Sequence, residues 1–201
     1  MSRVQKDTRE RLLDATWHLL EQQRGQSVRL EDIAHASGVS RQALYVHFRS
    51  RADLFIATVR HVDAVLGMPE RVARTQQAYQ PGQAVQGVEE LVAFWGTYLP
   101  EIYGLVKALL ALRDTDEAAA AAWADRMQAF YQGCRFVVGQ LARDEALAPI
   151  WTVESATDFF WALLSTEMWE RLTIERGWSH AEYIERMQLA AKRVLLASTA
   201  E

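Results

Sequence analysis

The sequence of 201 residues has a single cysteine, Cys134, and only four prolines. One cysteine cannot form a disulfide within the chain, and such sparing use is typical of a protein from a reducing compartment. No apolar run reaches the length of about 18 residues that a membrane-spanning helix needs, and the N-terminus lacks the pattern of a secretory signal peptide. We therefore expect a cytoplasmic protein with no membrane partner.

The sequence patterns of common catalytic sites are also missing. It contains no Walker A phosphate loop, no G-x-G-x-x-G, no G-x-S-x-G and no H-E-x-x-H. The five histidines show no metal-ligand spacing with Cys134, which we interpret as a small buried apolar residue. We predict no catalytic residue, no metal site and no cofactor, and hence no enzymatic activity.

What the chain does contain is a series of helical patterns. Each of the four prolines lies between segments rich in Ala, Leu, Glu, Arg and Gln, and no run of alternating β-branched residues occurs. The composition is 50% hydrophobic, which is ample for a packed core. We predict an all-α fold with helices near 8–23, 30–36, 41–48, 51–66, 83–98, 101–112, 116–143, 152–176 and 180–198, while residues 70–79 are compatible with a further helical segment.

The most informative segment is residues 27–55. Two short helical patterns are separated by a turn in which Gly38 can take the left-handed conformation that ends a helix, and Ser40 can cap the next one. In the second pattern Leu44 and Phe48 recur at helical spacing for burial, while the helix exposes the polar side chains of Arg41, Gln42, Tyr45 and His47. A short helix, a glycine-containing turn and a second short helix with a polar front predict a helix-turn-helix, whose second helix can enter a DNA major groove.

The distribution of charge agrees with a DNA-binding N-terminus. The net charge of the whole chain is −4, but residues 1–60 hold ten Lys and Arg against seven Asp and Glu, a net charge of +3. Residues 61–201 hold twelve against nineteen, a net charge of −7. The modest positive excess is confined to one end of the chain, where phosphate contacts would then be made.

The pattern I-A-x-x-S-G-V-S-x-x-x-L-Y-x-H-F-x-S-R-x-x-L-F, which starts at Ile33, resembles the DNA-binding signature of tetracycline-repressor (TetR) type transcriptional regulators. The resemblance covers roughly residues 5–60. It implies a three-helix DNA-binding domain at 1–51, a connecting fourth helix to about 66, and a helical effector-binding and dimerisation domain at 67–201. It also implies a homodimeric repressor that a small, largely apolar effector releases from a palindromic double-stranded DNA operator.

Base contacts on so short a helix must come from its first turn and from the next. Arg41 and Gln42 can bond to guanine and adenine edges, and Ala43 can touch a thymine methyl group. The resemblance assigns Tyr45 and His47 to the DNA backbone or adjacent bases. The alternatives are a solvated helical module that contacts protein, and a packing role for His47. The complete set of expected DNA contacts is Arg29, Ser40, Arg41, Gln42, Ala43, Tyr45, His47, Arg49 and Arg51.

Arg29 departs from the family pattern, because family members usually carry Ser or Thr at this position to cap the second helix. A cation at a helix N-terminus is unfavourable, and a DNA phosphate at the same place would compensate for it. We therefore expect Arg29 to contact the DNA backbone. The alternative is that Arg29 extends into solvent while Ser27 caps the helix.

Aromatic residues are dense beyond residue 90, and most such residues at helical spacing belong to a core. The family resemblance nevertheless implies an effector pocket among helices four to eight, and a concave, mostly apolar site suits an apolar or aromatic molecule. The candidates to line the pocket are Trp95, Tyr98, Tyr103, Trp123, Met127, Phe130, Trp161 and Met168.

The predicted helix at 152–176 is apolar around most of its circumference, which requires burial on two sides. One side can face the chain's own core and the other a second subunit, so that this helix and the last one would form a four-helix dimer interface. The residues expected there are Phe160, Leu164, Tyr183, Met187, Ala191 and Val194. The competing function is a helical small-molecule-binding protein or enzyme that retains a helix-turn-helix shape.

Overall fold

A computed structural model of the chain describes residues 7–23, 27–78 and 80–197, and within these ranges it is helical without any β-strand. This confirms the predicted all-α fold. None of the described helices is both long enough and apolar enough to cross a bilayer. The helices are α1 Thr8–Gln23, α2 Leu30–Ser37, α3 Arg41–His47, α4 Arg51–Val65, α5 Met68–Ala78, α6 Ala84–Leu112, α7 Glu117–Arg143, α8 Val153–Leu163, α9 Thr166–Trp169, a π-helix Glu170–Glu175, and α10 His180–Leu195.

The described residues pack into two compact units. The N-terminal unit falls within Met1–Glu70 and Ile102–Met127, and the C-terminal unit within Arg71–Glu101 and Gln128–Glu201. The packing units therefore do not follow a single cut near residue 67, since residues 102–127 pack with the N-terminal helices. The predicted division by function, with a DNA-binding domain before residue 67 and an effector domain after it, stays a prediction.

The core of the N-terminal unit joins the helix-turn-helix to later helices. Side chains from α1, α2, α3 and α4 lie in one buried cluster with residues of α6 and α7. Leu44 and Phe48 belong to it and are buried as predicted, so one side of α3 is held against the protein. The cluster includes Leu12, Leu20, Ile33, Leu44, Phe48, Leu54, Phe55, Leu105, Leu109, Ala119 and Ala122.

The core of the C-terminal unit is rich in aromatic residues. Trp95 stacks on Phe130 with ring centroids 4.1 Å apart, and Tyr98, Phe160 and Tyr183 are fully buried. The Ile184 side chain of α10 packs on the backbone of α6 at Gly96: a Cβ atom on Gly96 would lie 2.5 Å from Cγ1 of Ile184. Glycine at this position lets α6 and α10 pack in direct contact.

Cys134 lies in α7 and is fully buried. Burial raises the pKa of its thiol, because the apolar surroundings disfavour the thiolate. The thiol therefore stays protonated and unreactive near neutral pH, as expected for a small packing residue.

Two predicted helix boundaries were wrong. The helix break expected at Pro100 is absent, because α6 runs without interruption from Ala84 to Leu112. Proline lacks an amide hydrogen and costs an interior helix about 3 kcal/mol, which burial of the neighbouring Tyr98 and Leu99 offsets. The residues at 70–79 do form helix, within α5, up to Ala78.

The other error concerns the single helix predicted at 152–176. The structure ends α8 at Leu163 and starts α9 at Thr166, where the Ser165 hydroxyl accepts a hydrogen bond from the Met168 amide. A π-helical segment follows at once, over Glu170–Glu175. A serine side chain that caps a new helix competes with continuation of the preceding helix. At Ser165 the capped new helix forms and the preceding helix ends.

The residues assigned to a dimer interface also need correction. Five of them are buried inside the C-terminal unit itself and so cannot meet a second subunit: Phe160, Leu164, Tyr183, Met187 and Ala191. Only Val194 is half-buried. The apolar side chains that these helices leave exposed are Phe159, Met168, Ile174 and Leu189. Periodicity finds two apolar sides on such helices but does not tell which one faces inward.

Candidate nucleic-acid interface

The turn between α2 and α3 has the predicted geometry. Gly38 ends α2 in the left-handed region with φ of 66°, and the amides of Gly38 and Val39 donate to the carbonyls of His35 and Ala34. The Ser40 hydroxyl then accepts a hydrogen bond of 3.1 Å from the Ala43 amide and caps α3. Both ends of the turn are thus satisfied by local bonds, which fix the direction of α3.

The side of α3 opposite Leu44 and Phe48 is open to solvent. Arg41, Gln42 and His47 are exposed, Tyr45 is 48% exposed, and Ala43 is half-buried. These side chains therefore protrude on a helix whose other side is anchored in the core. Exposure of this polar front is the condition that the helix must meet to enter a DNA groove.

Val46 is a candidate contact that the sequence analysis missed. It lies on the exposed part of α3 and is 79% exposed, an unusual position for a branched apolar side chain. Its methyl groups could contact a thymine methyl group in a major groove. The available signal was its place within the polar front, since it follows Tyr45 and precedes His47 directly.

Arg41 has a carboxylate partner on the neighbouring helix. Its Nη1 donates to Oε1 of Glu31, in the first turn of α2, over 3.0 Å, and both side chains are more than half exposed. Hydrogen bonding with the Tyr45 side chain, and then the charge of Glu31, raise the pKa of Arg41. The guanidinium is fully charged and held at the front of α3.

Arg29 precedes α2 and Arg49 follows α3, and both side chains are exposed. Arg29 occupies the N-cap position of α2 with extended backbone angles, and no side chain caps the helix there. The alternative that Ser27 provides the cap is wrong, because its hydroxyl instead accepts from Arg51 and donates to Asp116. The phosphate contact expected for Arg29 stays a prediction.

Arg51 has partners other than the predicted phosphate. Its guanidinium donates twice to the Val28 carbonyl, over 3.0 and 2.7 Å, and pairs with the carboxylate of Asp116. It also lies 4.5 Å from the centre of the Phe55 ring. The side chain fastens the segment before α2 to α4 and to the start of α7. The DNA contact predicted for Arg51 stays a prediction.

Asp116 is the acidic centre of this arrangement, and its side chain is only 6% exposed. Burial opposes its ionisation, but hydrogen bonds from Arg51 and from the Ala119 and Ala118 amides outweigh burial and lower the pKa of Asp116. The same carboxylate caps α7, because its Oδ1 accepts from both of these amides. Removal of the Asp116 side chain would therefore break the ion pair with Arg51 and remove the cap of α7.

The residues predicted to line an effector pocket are divided between the two units. In the C-terminal unit, Trp95, Tyr98 and Phe130 are buried, Trp161 is half-buried in a T-shaped contact with Tyr131, and Met168 is 37% exposed. The Nε1 atom of Trp95 is buried and has no hydrogen-bond partner among the described residues. A buried donor left in this way is a group to which a bound molecule could offer an acceptor.

The other three pocket candidates lie in the N-terminal unit. Trp123 packs against its core and has the Arg113 guanidinium 5.6 Å from its ring centre, and Tyr103 has the Lys107 ammonium 6.0 Å away. Met127 is half-buried. The effector pocket stays a prediction.

Over the described part of the chain, no three His, Cys, Asp or Glu side chains come together as a metal site.

Comparison with known proteins gives the same picture of the N-terminus. The sequence profile of bacterial regulatory proteins of the tetR family matches residues 12–58, which contain α2 and α3. The HTH-type transcriptional regulator AcrR of Shigella flexneri is 33% identical over 87 residues, which are 43% of this chain. Those residues span only 39% of the length of that relative.

Solved structures of similar proteins match over nearly the whole chain. NalD, the secondary repressor of the MexAB-OprM multidrug efflux pump in Pseudomonas aeruginosa, is 25% identical with a TM-score of 0.70, over 96% of this chain and 98% of its own. The transcriptional regulator FadR of Bacillus subtilis, solved in complex with stearoyl-CoA, is 11% identical with a TM-score of 0.71, over 92% and 98%. The second likeness shows the fold alone. The helix-turn-helix geometry, the family match and the similarity to NalD together identify residues 12–58 as the DNA-binding segment of a tetR-family type.

Proposed function

We propose that this protein is a sequence-specific DNA-binding transcriptional regulator that acts as a repressor. The observation that carries the proposal is the exposed polar front of α3, formed by Arg41, Gln42, Tyr45 and His47, on a helix anchored through Leu44 and Phe48. Arginine and glutamine are suited to bond guanine and adenine edges in the major groove. NalD is a repressor, and repression is proposed for this protein by that likeness.

We propose that the functional unit is a homodimer on a pseudo-palindromic operator. Two copies of α3 would enter successive major grooves, so that the spacing of the half-sites matches the dimer. The exposed apolar side chains Phe159, Met168, Ile174 and Leu189 are the candidates for contact between subunits. A regulator of this kind works where the DNA is, and we propose a cytoplasmic location for that reason.

The proposal includes a small, largely apolar effector. Support comes from the aromatic interior of the C-terminal unit, with Trp95 stacked on Phe130, and from the buried Nε1 of Trp95. An effector that binds better to a conformation unable to hold both half-sites would release the operator. By linkage, operator DNA would then weaken effector binding by the same factor. No catalytic step forms part of the proposed function.

The test is selection of DNA from a random pool by the full-length protein at physiological salt. We expect enrichment of a two-fold symmetric site. Arg41→Ala and Gln42→Ala should each weaken binding to that site by about 1–3 kcal/mol and relax base preference at a defined position.

Arg186→Ala is the matched control, because it removes one exposed arginine from α10 in the C-terminal unit. It should leave the selected sequence unchanged. If the wild-type protein enriches no DNA sequence from the random pool, the proposed function is contradicted. Wild-type affinity and base preference in both α3 variants would contradict the assignment of α3 as the recognition helix.

A further inference from the structure

The ion pair between Glu31 and Arg41 places a carboxylate on the surface that the proposed function assigns to DNA. Arg41 begins α3, Glu31 lies in the first turn of α2, and Oε1 and Nη1 are 3.0 Å apart. Any DNA that contacts Arg41 must therefore come close to Glu31. A carboxylate so near to phosphates opposes binding, so its presence calls for a function other than affinity.

We propose that Glu31 is a positioning residue that sets base specificity by holding the Arg41 guanidinium in the orientation that reads a base pair. The inference rests on the proposed function and names a determinant of specificity at the same site. A guanidinium presents its donors in a rigid fork, and reading guanine requires two of them to point at O6 and N7 together.

The geometry gives Glu31 this role for two reasons. First, Arg41 has a long side chain with many rotamers, and it is more than half exposed, so a fixed partner limits the orientations it can take before DNA arrives. Second, the bond uses Nη1 and leaves the remaining donors of the guanidinium available.

A purely structural role for Glu31 makes a different prediction. Acidic residues in the first turn of a helix interact favourably with its N-terminus, and α2 lacks a side-chain cap at Arg29. Asp32 follows Glu31 in the same turn and is also exposed, and the structure gives it no bond to Arg41. Asp32→Asn removes the same charge from the same helix end, so it separates the two roles.

The experiment measures how strongly each variant discriminates against a changed base pair. The selected operator comes from the random pool, and Arg41→Ala identifies the base pair whose preference depends on Arg41. Dissociation constants are then measured at two salt concentrations for three DNAs: the operator, the operator with that one base pair changed, and unrelated DNA. The proteins are wild type, Glu31→Gln, Asp32→Asn, Arg41→Ala and the double variant Glu31→Gln with Arg41→Ala.

We expect Glu31→Gln to lower discrimination at that base pair by a factor of about five, the low end of what a bidentate contact contributes. Binding to unrelated DNA should become tighter, by a factor of about two or more at low salt, because one negative charge is removed. Asp32→Asn should tighten binding to unrelated DNA in the same way and keep wild-type discrimination. In the Arg41→Ala background, Glu31→Gln should cause no further loss.

The inference is overturned if Glu31→Gln discriminates against the changed base pair as well as wild type does. It is also overturned if Asp32→Asn loses as much discrimination as Glu31→Gln, or if Glu31→Gln lowers discrimination further when Arg41 is already alanine. Arg41→Ala without an effect on any base pair also overturns it. These outcomes all require a wild-type protein that selects a site. A wild type that selects none contradicts the proposed function itself, and the two failures are thereby distinguished.

Discussion

The two packing units hold their polar side chains in different ways. In the N-terminal unit, arginines pair with the carboxylates of Asp63, Asp116 and Asp125, and His61 lies 2.9 Å from Asp14. In the C-terminal unit, Nε1 of Trp95 and the hydroxyl of Tyr183 are buried without a hydrogen-bond partner in the described ranges. Among the described residues of the N-terminal unit, the comparable group is Nε1 of Trp17.

This difference has a physical meaning for function. Paired charges with defined geometry fix the helices that carry them, which suits a unit that must present α3 in one orientation. Each buried donor without a partner costs about 1–3 kcal/mol of stability. A protein keeps such a donor when the donor serves a function. Binding a molecule that carries a hydrogen-bond acceptor is a function that agrees with the proposed effector.

The largest expected effect comes from breaking the Arg51 arrangement in the N-terminal unit. Asp116→Ala leaves the Arg51 guanidinium without its carboxylate and removes the cap of α7. We expect the free energy of unfolding to fall by about 3 kcal/mol, measured by urea titration with circular dichroism.

Asp114→Ala is the control for this change, because Asp114 is 87% exposed in the neighbouring turn and should cost less than about 0.5 kcal/mol. The pKa of Asp116 is lower in the folded state than in the unfolded state, where it is near 3.8. The stability that ionised Asp116 contributes is therefore fully present above the unfolded pKa and is lost as the pH falls through the folded pKa. The difference between wild type and Asp116→Ala should shrink accordingly in acid. Equal stability of the two alanine variants at neutral pH would contradict this account.

A smaller effect is expected from overpacking the C-terminal unit. Gly96→Ala places a methyl group 2.5 Å from Cγ1 of Ile184, so the Ile184 side chain or one of the helices α6 and α10 must shift. We expect a loss of about 2 kcal/mol in the free energy of unfolding, measured by urea titration with tryptophan fluorescence.

Gly133→Ala in α7 is the matched control, because a Cβ atom there meets nothing within 4 Å. It should stabilise the protein by about 0.5–1 kcal/mol through helix propensity. If both alanine variants gain stability, the close contact of α6 with α10 is not as described.

The smallest expected effect tests the unpaired donor directly. Burial raises the pKa of Tyr183, so its hydroxyl is protonated and, within the described structure, unbonded. Tyr183→Phe removes this hydroxyl at nearly constant volume. We expect a gain of about 1 kcal/mol in the free energy of unfolding in urea.

The control lies in the same unit. Tyr131 donates to Oδ1 of Asp158 over 2.9 Å, so Tyr131→Phe removes a hydroxyl that has a partner and should cost about 0.5 kcal/mol. A loss of stability in Tyr183→Phe, as large as in Tyr131→Phe or larger, would show that the Tyr183 hydroxyl is bonded in solution.

Local signals made the helix-turn-helix predictable. The roles of Gly38 and Ser40 depend on atoms within four residues along the chain, and the structure confirms both: the left-handed turn and the N-cap of α3. Burial of Leu44 follows from helical spacing in the same way. The family resemblance rested on this segment, and its confirmation follows from the same local chemistry.

Contacts between residues far apart in the chain were not predictable. Arg51 pairs with Asp116, which lies 65 positions away along the chain, and spacing does not indicate that contact. Glu31 lies on a different helix from Arg41, and only the fold places the two side chains together. The helix break at Ser165 depends on competition between a local cap and packing, and a propensity sum does not resolve it.

The amino-acid sequence by itself determined the helical class, the helix-turn-helix and the side of α3 that faces solvent, because these depend on caps, turns and periodicity over a few residues. Only the tertiary structure decided which apolar side of α8 and α10 is internal, which arginine near α3 is committed to the protein, and which carboxylate holds Arg41. Those outcomes are set by free energies of contact between segments far apart in the chain, and no local pattern contains them.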